Sequence, residues 1–285
     1  MKKKIAVVVS IIFSVLMPIA CDSIGPSTRE VEIKGTLMMA TTTSTADTGL
    51  LEYLAPQFLM DTGWELQYVA VGAGEALEMG RNGDVDILLV NDRGSEIVFV
   101  AEDFGVERFP IMYNEFIVIG PGELVEYGHD VQVTFVEIFE SQFTFVSRGD
   151  DSGTDRREKA IWEMLEIDPR ENHNYLETGQ GMEATIAIAD EEQAFCLTDR
   201  STWLRKIHDS DVTLELEVIC EGDSILFNQY GVIAINPERY PTVNYQAAEA
   251  FIKWITSEEI QALIGQFGIE AFGEPLFIPN AGSDS

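Results

Sequence analysis

The sequence predicts an α/β fold built as two lobes. Three observations lead there. Short apolar runs alternate with helical periodicity from residue 37 to residue 102. The alternation then loosens for about a hundred residues before returning to strand character and two amphipathic helices. The strand-to-helix junctions are rich in Gly, Ser and Thr, as expected where loops at strand ends form a cleft. With 46% apolar and 10% aromatic residues in 285, the chain can fill a substantial core, which excludes disorder.

The elements follow in order. Leu37–Ala40 reads as a strand, and Leu50, Leu51, Leu54 and Phe58 then mark one face of a helix. Gln67–Val71 is a second strand before a helix over Glu75–Arg81, and Asp86–Val90 a third before Gly94–Glu102. Such βα units predict a mostly parallel, buried sheet. Strands over Phe116–Gly120, Phe143–Val146, Ala194–Leu197 and Val212–Cys220 are interleaved with helices over Ser152–Leu165 and Met182–Ala189. Gly231–Ile235 is a strand again, and helices over Asn244–Ile255 and Ser257–Phe267 follow. A chain that leaves one unit and returns to it crosses twice, near Tyr113–Phe116 and Phe227–Gly231. Lobe I is therefore expected over 35–115 and 228–285, and lobe II over 116–227, with a ligand cleft between them. A single larger doubly wound domain is the competing architecture.

The N-terminus has the layout of a secretory signal over residues 1–20. Lys2, Lys3 and Lys4 precede an apolar run from Ile5 to Ile19, and Ala20-Cys21 closes it. That run is short for a membrane span of about 20 residues, which disfavours an uncleaved anchor. Cys21 is the candidate lipidation site, and residues 21–34 form a tether containing Gly, Pro and Ser. Export leaves Cys196 and Cys220 either paired in a disulfide or buried as free thiols. The net charge of −31 excludes nucleic acid as a partner, since phosphate backbones need clustered Lys and Arg. An anion must therefore be captured locally, against a field that salt screens beyond about 8 Å.

Three segments carry the chemistry. Ala40-Thr41-Thr42-Thr43-Ser44-Thr45-Ala46-Asp47 lies between a strand and a helix, and its hydroxyls and helix-start N–H groups are donors suited to an anion. Val71-Gly72-Ala73-Gly74 occupies the equivalent position after the second strand and is either a close backbone approach to ligand or a tight turn. Ser147-Arg148-Gly149-Asp150-Asp151-Ser152-Gly153-Thr154 brings a permanently charged fork next to a helix start. Gln180 and Gly181, in Thr178-Gly179-Gln180-Gly181-Met182, are a further candidate edge of the cleft, and Arg200 is assigned a structural ion pair. His129, His173 and His208 are not spaced as metal ligands, and no nucleophile elbow, Walker loop or dinucleotide fingerprint occurs. Donors and one dominant cation without a general base describe binding and not turnover, so neither enzyme activity, metal nor cofactor is expected.

The segments TTTSTADTGLLEYLAPQF, GAGEALEMGRNGDVDILLVNDR, FVSRGDDSGT, YLETGQGM, LTDR and FNQYGVIAINPE together resemble the tungstate-binding (TupA-type) proteins of bacterial and archaeal ABC importers. The resemblance runs in order from about Thr36 to Asn280. It implies a class II periplasmic-binding-protein fold and capture of a tetrahedral oxyanion on Thr42, Thr43, Ser44, Arg148, Ser152, Gly153 and Thr154. It also implies delivery to a membrane permease by a lipid-anchored, exported monomer. The Arg-x-x-x-Ser-Gly-Thr spacing is also similar to that of phosphate-binding proteins, so molybdate or phosphate uptake, or an anion-sensing receptor module, are the alternatives. Asp155 departs from the family pattern, and its charge beside the site would weaken anion binding. Asp47, Asp150 or Asp151, pointed inward, would accept a proton from hydrogen phosphate; a site of donors alone would refuse it.

Overall fold

The computed structural model describes residues 32–124, 128–209 and 213–283. The expected signal peptide, Cys21, most of the tether and Val212 lie outside them. The first lobe begins with β1 (Gly35–Thr42), the short α1 (Thr43–Asp47), α2 (Leu50–Thr62), β2 (Trp64–Val71), α3 (Ala73–Asn82), β3 (Ile87–Val90) and α4 (Arg93–Ala101). β1 pairs parallel with β2 on one side and with β3 on the other. β3 (ILLV) is buried along its whole length, as a strand covered on both faces should be. α2 packs Leu50, Leu51, Leu54 and Phe58 inward and stops at Gly63, whose φ of 76° glycine adopts without strain and where a Cβ would lie 2.8 Å from Glu32 O.

β4 (Gly105–Gly120) is a 16-residue strand that runs from one lobe into the other. Its first part pairs antiparallel with β9 (Phe227–Ile235), and its last residues pair with β7 (Cys196–Asp199) and β8 (Glu217–Cys220). Sequence reasoning saw only its apolar end, because Pro110 interrupts the run. The strand absorbs that proline with a register shift between Pro110 and Met112. β9 also pairs antiparallel with β3, so the large sheet is mixed and the expected parallel sheet is limited to its first three strands.

Between the crossings lie α5 (Val131–Glu140), β5 (Phe145–Ser147), α6 (Gly153–Met164), β6 (Tyr175–Glu177), α7 (Met182–Glu191) and α8 (Arg200–Ile207). The expected strand over 212–220 shortens to β8. The backbone N–H groups of Glu215 and Leu216 go to Asp190 Oδ1, at 2.7 and 3.3 Å, and so are lost to the ladder. After β9 the chain closes with α9 (Tyr245–Ile255), α10 (Glu258–Gln266), α11 (Ile269–Phe272) and β10 (Ile278–Pro279), which pairs with β4.

Two sets of cores correspond to the two lobes. In the first, Phe58 sits edge-on to Phe251, with ring centroids 5.1 Å apart, and also packs on Trp254. In the second, Phe135, Phe145 and Trp162 pack together, the closest pair at 4.5 Å. Cys196 and Cys220 are buried free thiols. They flank β4 on opposite sides, opposite Ile119 and Val118 respectively, so two strand spacings of about 4.8 Å separate them, beyond disulfide range.

Candidate functional site

Three junctions converge on one cavity of about 250 Å³. Thr42, Thr43 and Ser44 from the β1–α1 junction, Gly72, Ala73 and Gly74 from β2–α3, and Arg148, Ser152, Gly153 and Thr154 from β5–α6 all line it. Each junction follows a strand's carboxyl end and opens a helix, where unpaired N–H groups and the helix dipole favour an anion.

At the first junction the hydroxyls divide their work. Thr41 is fully buried and donates to Leu89 O at 2.8 Å, so it ties β1 to β3. Thr42 caps α1: its Oγ1 accepts from Thr45 N at 3.3 Å and sits 2.6 Å from Thr45 Oγ1 and 3.2 Å from Ser44 Oγ. Thr43 and Ser44 stand exposed at the helix start. At the second junction Gly72 begins α3 with no side-chain cap. A Cβ added at Gly72 would meet nothing within 4 Å, and one at Gly74 would meet only Arg156 Nη2 at 3.9 Å. These glycines therefore keep the space before the helix open to the cavity, and no turn geometry demands them.

The third junction is the most constrained. Gly149 has φ +62°, and a Cβ there would lie 2.9 Å from Glu177 Cβ. Asp155, fully buried on α6, accepts from Gly149 N at 3.0 Å and Asp151 N at 2.9 Å, and is paired with Lys159 Nζ at 2.6 Å. The sequence expectation that Asp155 would weaken anion binding from beside the site is corrected here. It faces the loop's backbone, does not line the cavity, and its charge is met by three donors. Behind the loop, Glu158 accepts from Trp162 Nε1 at 3.1 Å and Tyr175 Oη at 2.8 Å. Burial pushes its carboxyl up to about 7 despite these bonds.

Arg148 reaches the cavity in partnership with Asp150, to which Nε and Nη2 donate at 3.1 and 2.5 Å. Burial opposes the Asp150 charge, but bonds from Ser152 and Arg148 outweigh it and hold the carboxyl below its usual pKa. The other wall carboxylates are mostly occupied as well. Asp151 is held by Arg156 Nε and Nη2, and Asp199 accepts from Ser201 Oγ, Thr202 N and Thr202 Oγ1 at 2.5, 2.8 and 2.7 Å. Glu75, exposed at the rim, makes no side-chain bond among the described residues. Asp47 borders an adjoining space of about 510 Å³, as do Gly181 and Arg205. Gln180 lines neither space: its N–H folds back on Thr178 Oγ1 at 3.2 Å and its side chain is exposed. Arg200 pairs with Glu115 and Glu221 at the β4 crossing.

Sequence reasoning missed the cavity's floor and its second cation. Asn91, Asn228 and Tyr230 line the floor, together with Phe116. Asn91 sits in LVNDR after β3, and the other two in FNQYG of β9, so their signal was a polar residue beside an apolar strand at a crossing. Arg156, one helical turn after Ser152, also lines the cavity and lies 3.5 Å from Asp92 of the other lobe. Arg205 Nη1 also reaches from one lobe to the other, donating to Asp47 O at 2.6 Å. Among the described residues no group of three or more His, Cys, Asp or Glu is placed to hold a metal, and no helix is long and apolar enough to cross a membrane.

A family model described as a PBP superfamily domain matches residues 29–259. The chain is 43% identical over 289 residues to the tungstate-binding protein TupA of Peptoclostridium acidaminophilum, covering 99% of each chain. It is 41% identical to TupA of Campylobacter jejuni, covering 84% of this chain and 88% of the relative. The solved structure of tungstate-binding TupA from Desulfovibrio alaskensis superposes with a TM-score of 0.82 at 45% identity, covering 87% of this chain and 99% of the other.

Proposed function

Because the chain belongs to the PBP superfamily, and to its TupA-type branch, we propose that it is the extracytoplasmic solute-binding protein of an ABC importer and that it captures tungstate. The observation that carries this reading is the convergence of three donor-rich junctions on a cavity whose flanking Asp residues are already hydrogen-bonded. The relatives named as tungstate-binding proteins support the choice of ligand. Arg148 supplies the principal charge. The N–H groups of Thr43, Ser44, Gly153 and Thr154 and the open start of α3 supply directed donors. Such donors hold a dianion without chemistry: nothing in the set abstracts a proton or attacks a bond.

The lobe division over 35–115 and 228–285 against 116–227 is supported by β4, which pairs Glu115 with Phe227 in one sheet and Phe116 with Asp199 in the next. A hinge there lets the lobes close on the anion, and the closed form is what a membrane permease recognises. The exported monomer is held at the membrane through Cys21, on the strength of its signal-like N-terminus.

Elemental analysis tests the ligand. The protein is equilibrated with equimolar tungstate, molybdate, sulfate and phosphate, desalted, and assayed by plasma mass spectrometry. Stoichiometric tungsten supports the reading. Phosphorus in its place, or no retained element, contradicts it.

A further inference from the structure

The cavity must admit a dianion into a chain whose formal charge is −31. Its lining repeats the problem locally, with the carboxylates of Glu75, Asp150, Asp151 and Asp199 set against the guanidinium groups of Arg148 and Arg156. The two cations differ in exposure. Arg148 is only 17% exposed and holds Asp150. Arg156 also lines the cavity but is 42% exposed, so its guanidinium stands where the cavity meets solvent.

Three contacts fix it there. Nε and Nη2 donate to Asp151 Oδ1 and Oδ2 at 3.1 and 3.0 Å, a two-pronged pair in which the fork matches the carboxylate. Nη1 lies 3.5 Å from Asp92 Oδ2 on the lobe I side of the cleft, at which length the contact is Coulombic more than a directed bond. A Cβ built on Gly74 would lie 3.9 Å from Nη2, so the guanidinium also reaches the start of α3. The pairing keeps Asp151 ionised, since the guanidinium holds its carboxyl below the usual pKa. Among the described residues the Asp151 carboxylate bonds to no other side chain, and Glu75 beside it bonds to none. Without Arg156, both carboxylates would confront an arriving anion uncompensated.

We infer that Arg156 is the entry residue of the site: by neutralising Asp151 and Asp92 on the two sides of the cleft, it keeps the mouth passable to a dianion. This rests on the oxyanion-binding reading above and extends it to how the anion arrives. An acidic protein repels anions over a distance that salt sets, and a rim charge acts on the rate of arrival more than on the strength of holding.

Stopped-flow fluorescence with tungstate tests it, giving association and dissociation rates for the wild type, Arg156→Gln, Arg156→Lys and Arg156→Gln/Asp151→Asn, with thermal melts confirming the fold. Sodium chloride is set at about 0.01 M, where charges act over about 30 Å, and at about 1 M, where they act over about 3 Å. Arg156→Gln is expected to slow association about tenfold in low salt, with the deficit gone in high salt, and to leave dissociation within about threefold. Arg156→Lys keeps the charge and should associate within about twofold of wild type. Arg156→Gln/Asp151→Asn removes the bared carboxylate and should recover most of the lost rate; Asn tolerates the φ of 60° at that position.

Unchanged association in Arg156→Gln, a deficit that persists in high salt, or a loss in Arg156→Lys as large as in Arg156→Gln would each overturn the inference. So would a loss that Asp151→Asn does not recover, or a change confined to dissociation, which would make Arg156 a latch between the lobes. A wild-type protein that binds no tungstate would bring down the functional reading and this inference with it, whereas tungstate binding at a rate indifferent to residue 156 removes only the role of Arg156.

Discussion

Replacing Arg148 by alanine removes the charge that the cavity uses and strands the carboxylate that holds it. The Arg148 and Asp150 side chains are only 17% and 22% exposed, so solvent screens the pair weakly. Truncating one partner of such a desolvated pair costs about 2–5 kcal/mol, much of it from the charge left behind. That amounts to about thirty- to several-thousand-fold in affinity for a bound dianion. The structure divides the loss further. In Arg148→Ala, Asp150 stands bare on the cavity wall and repels the ligand. In Arg148→Ala/Asp150→Asn that repulsion disappears, while the Asn oxygen can still accept from Ser152 N, as Asp150 does at 3.2 Å. Titration calorimetry with tungstate should show the double variant binding about tenfold tighter than the single one, with the gap shrinking in high salt. An Arg148→Ala protein within about threefold of wild type would refute the reasoning, because no buried cation could then be serving the anion.

Other outcomes follow from neighbouring groups. Asp155→Ala leaves the N–H groups of Gly149 and Asp151 without their acceptor, so the melting temperature should fall by an amount equivalent to about 2–4 kcal/mol, and tungstate affinity should fall with it; an unchanged melt would show that the loop orders itself. Glu158 is a carboxyl whose folded-state pKa, about 7, lies above its unfolded value, so the folded state binds the extra proton and stability declines as pH rises between the two. Glu158→Gln should therefore gain stability relative to wild type from pH 5 to pH 8, on the order of 3 kcal/mol, in denaturant titrations, and a pH-independent difference would contradict this. Glu75→Gln removes an unpaired rim charge and should tighten tungstate binding by a few-fold at low salt only, so that a weaker-binding variant would assign Glu75 a direct role. Arg205→Ala severs a bond across the cleft and should raise the anion's dissociation rate by about tenfold in stopped-flow fluorescence, with the association rate little changed.

How much of this was readable beforehand depended on the kind of signal. The βα units of the first lobe were legible because their strands are continuous apolar runs and their helices have a clean inward face, as Leu50, Leu51, Leu54 and Phe58 do. α5 escaped because Val131, Val133 and Phe135 alternate with polar residues like a strand; its helical face, Val131, Thr134, Phe135 and Ile138, appears only once Asp130 caps the first turn at Gln132 N and Val133 N. α8 escaped because Asp199-Arg200 looked like a strand end, although Asp199 is its cap. Arg148 and the glycine-rich junctions could be read from local sequence, since each sits where one strand meets one helix. The floor could not. Asn91, Asn114, Asn228 and Tyr230 acquire meaning only from pairings 114 and 137 residues apart, and no spacing along the chain encodes which amide faces which. Asp155 was misjudged for the same reason: proximity in sequence to the cavity gave its charge but not its direction.

The most direct test of the account is a calorimetric titration of residues 22–285 with tungstate, molybdate, sulfate and phosphate in turn. Tight, one-to-one tungstate binding with phosphate silent is the predicted result. Phosphate binding with tungstate silent would contradict it, because Asp150, Asp151 and Asp199 on the cavity wall are already engaged by protein donors.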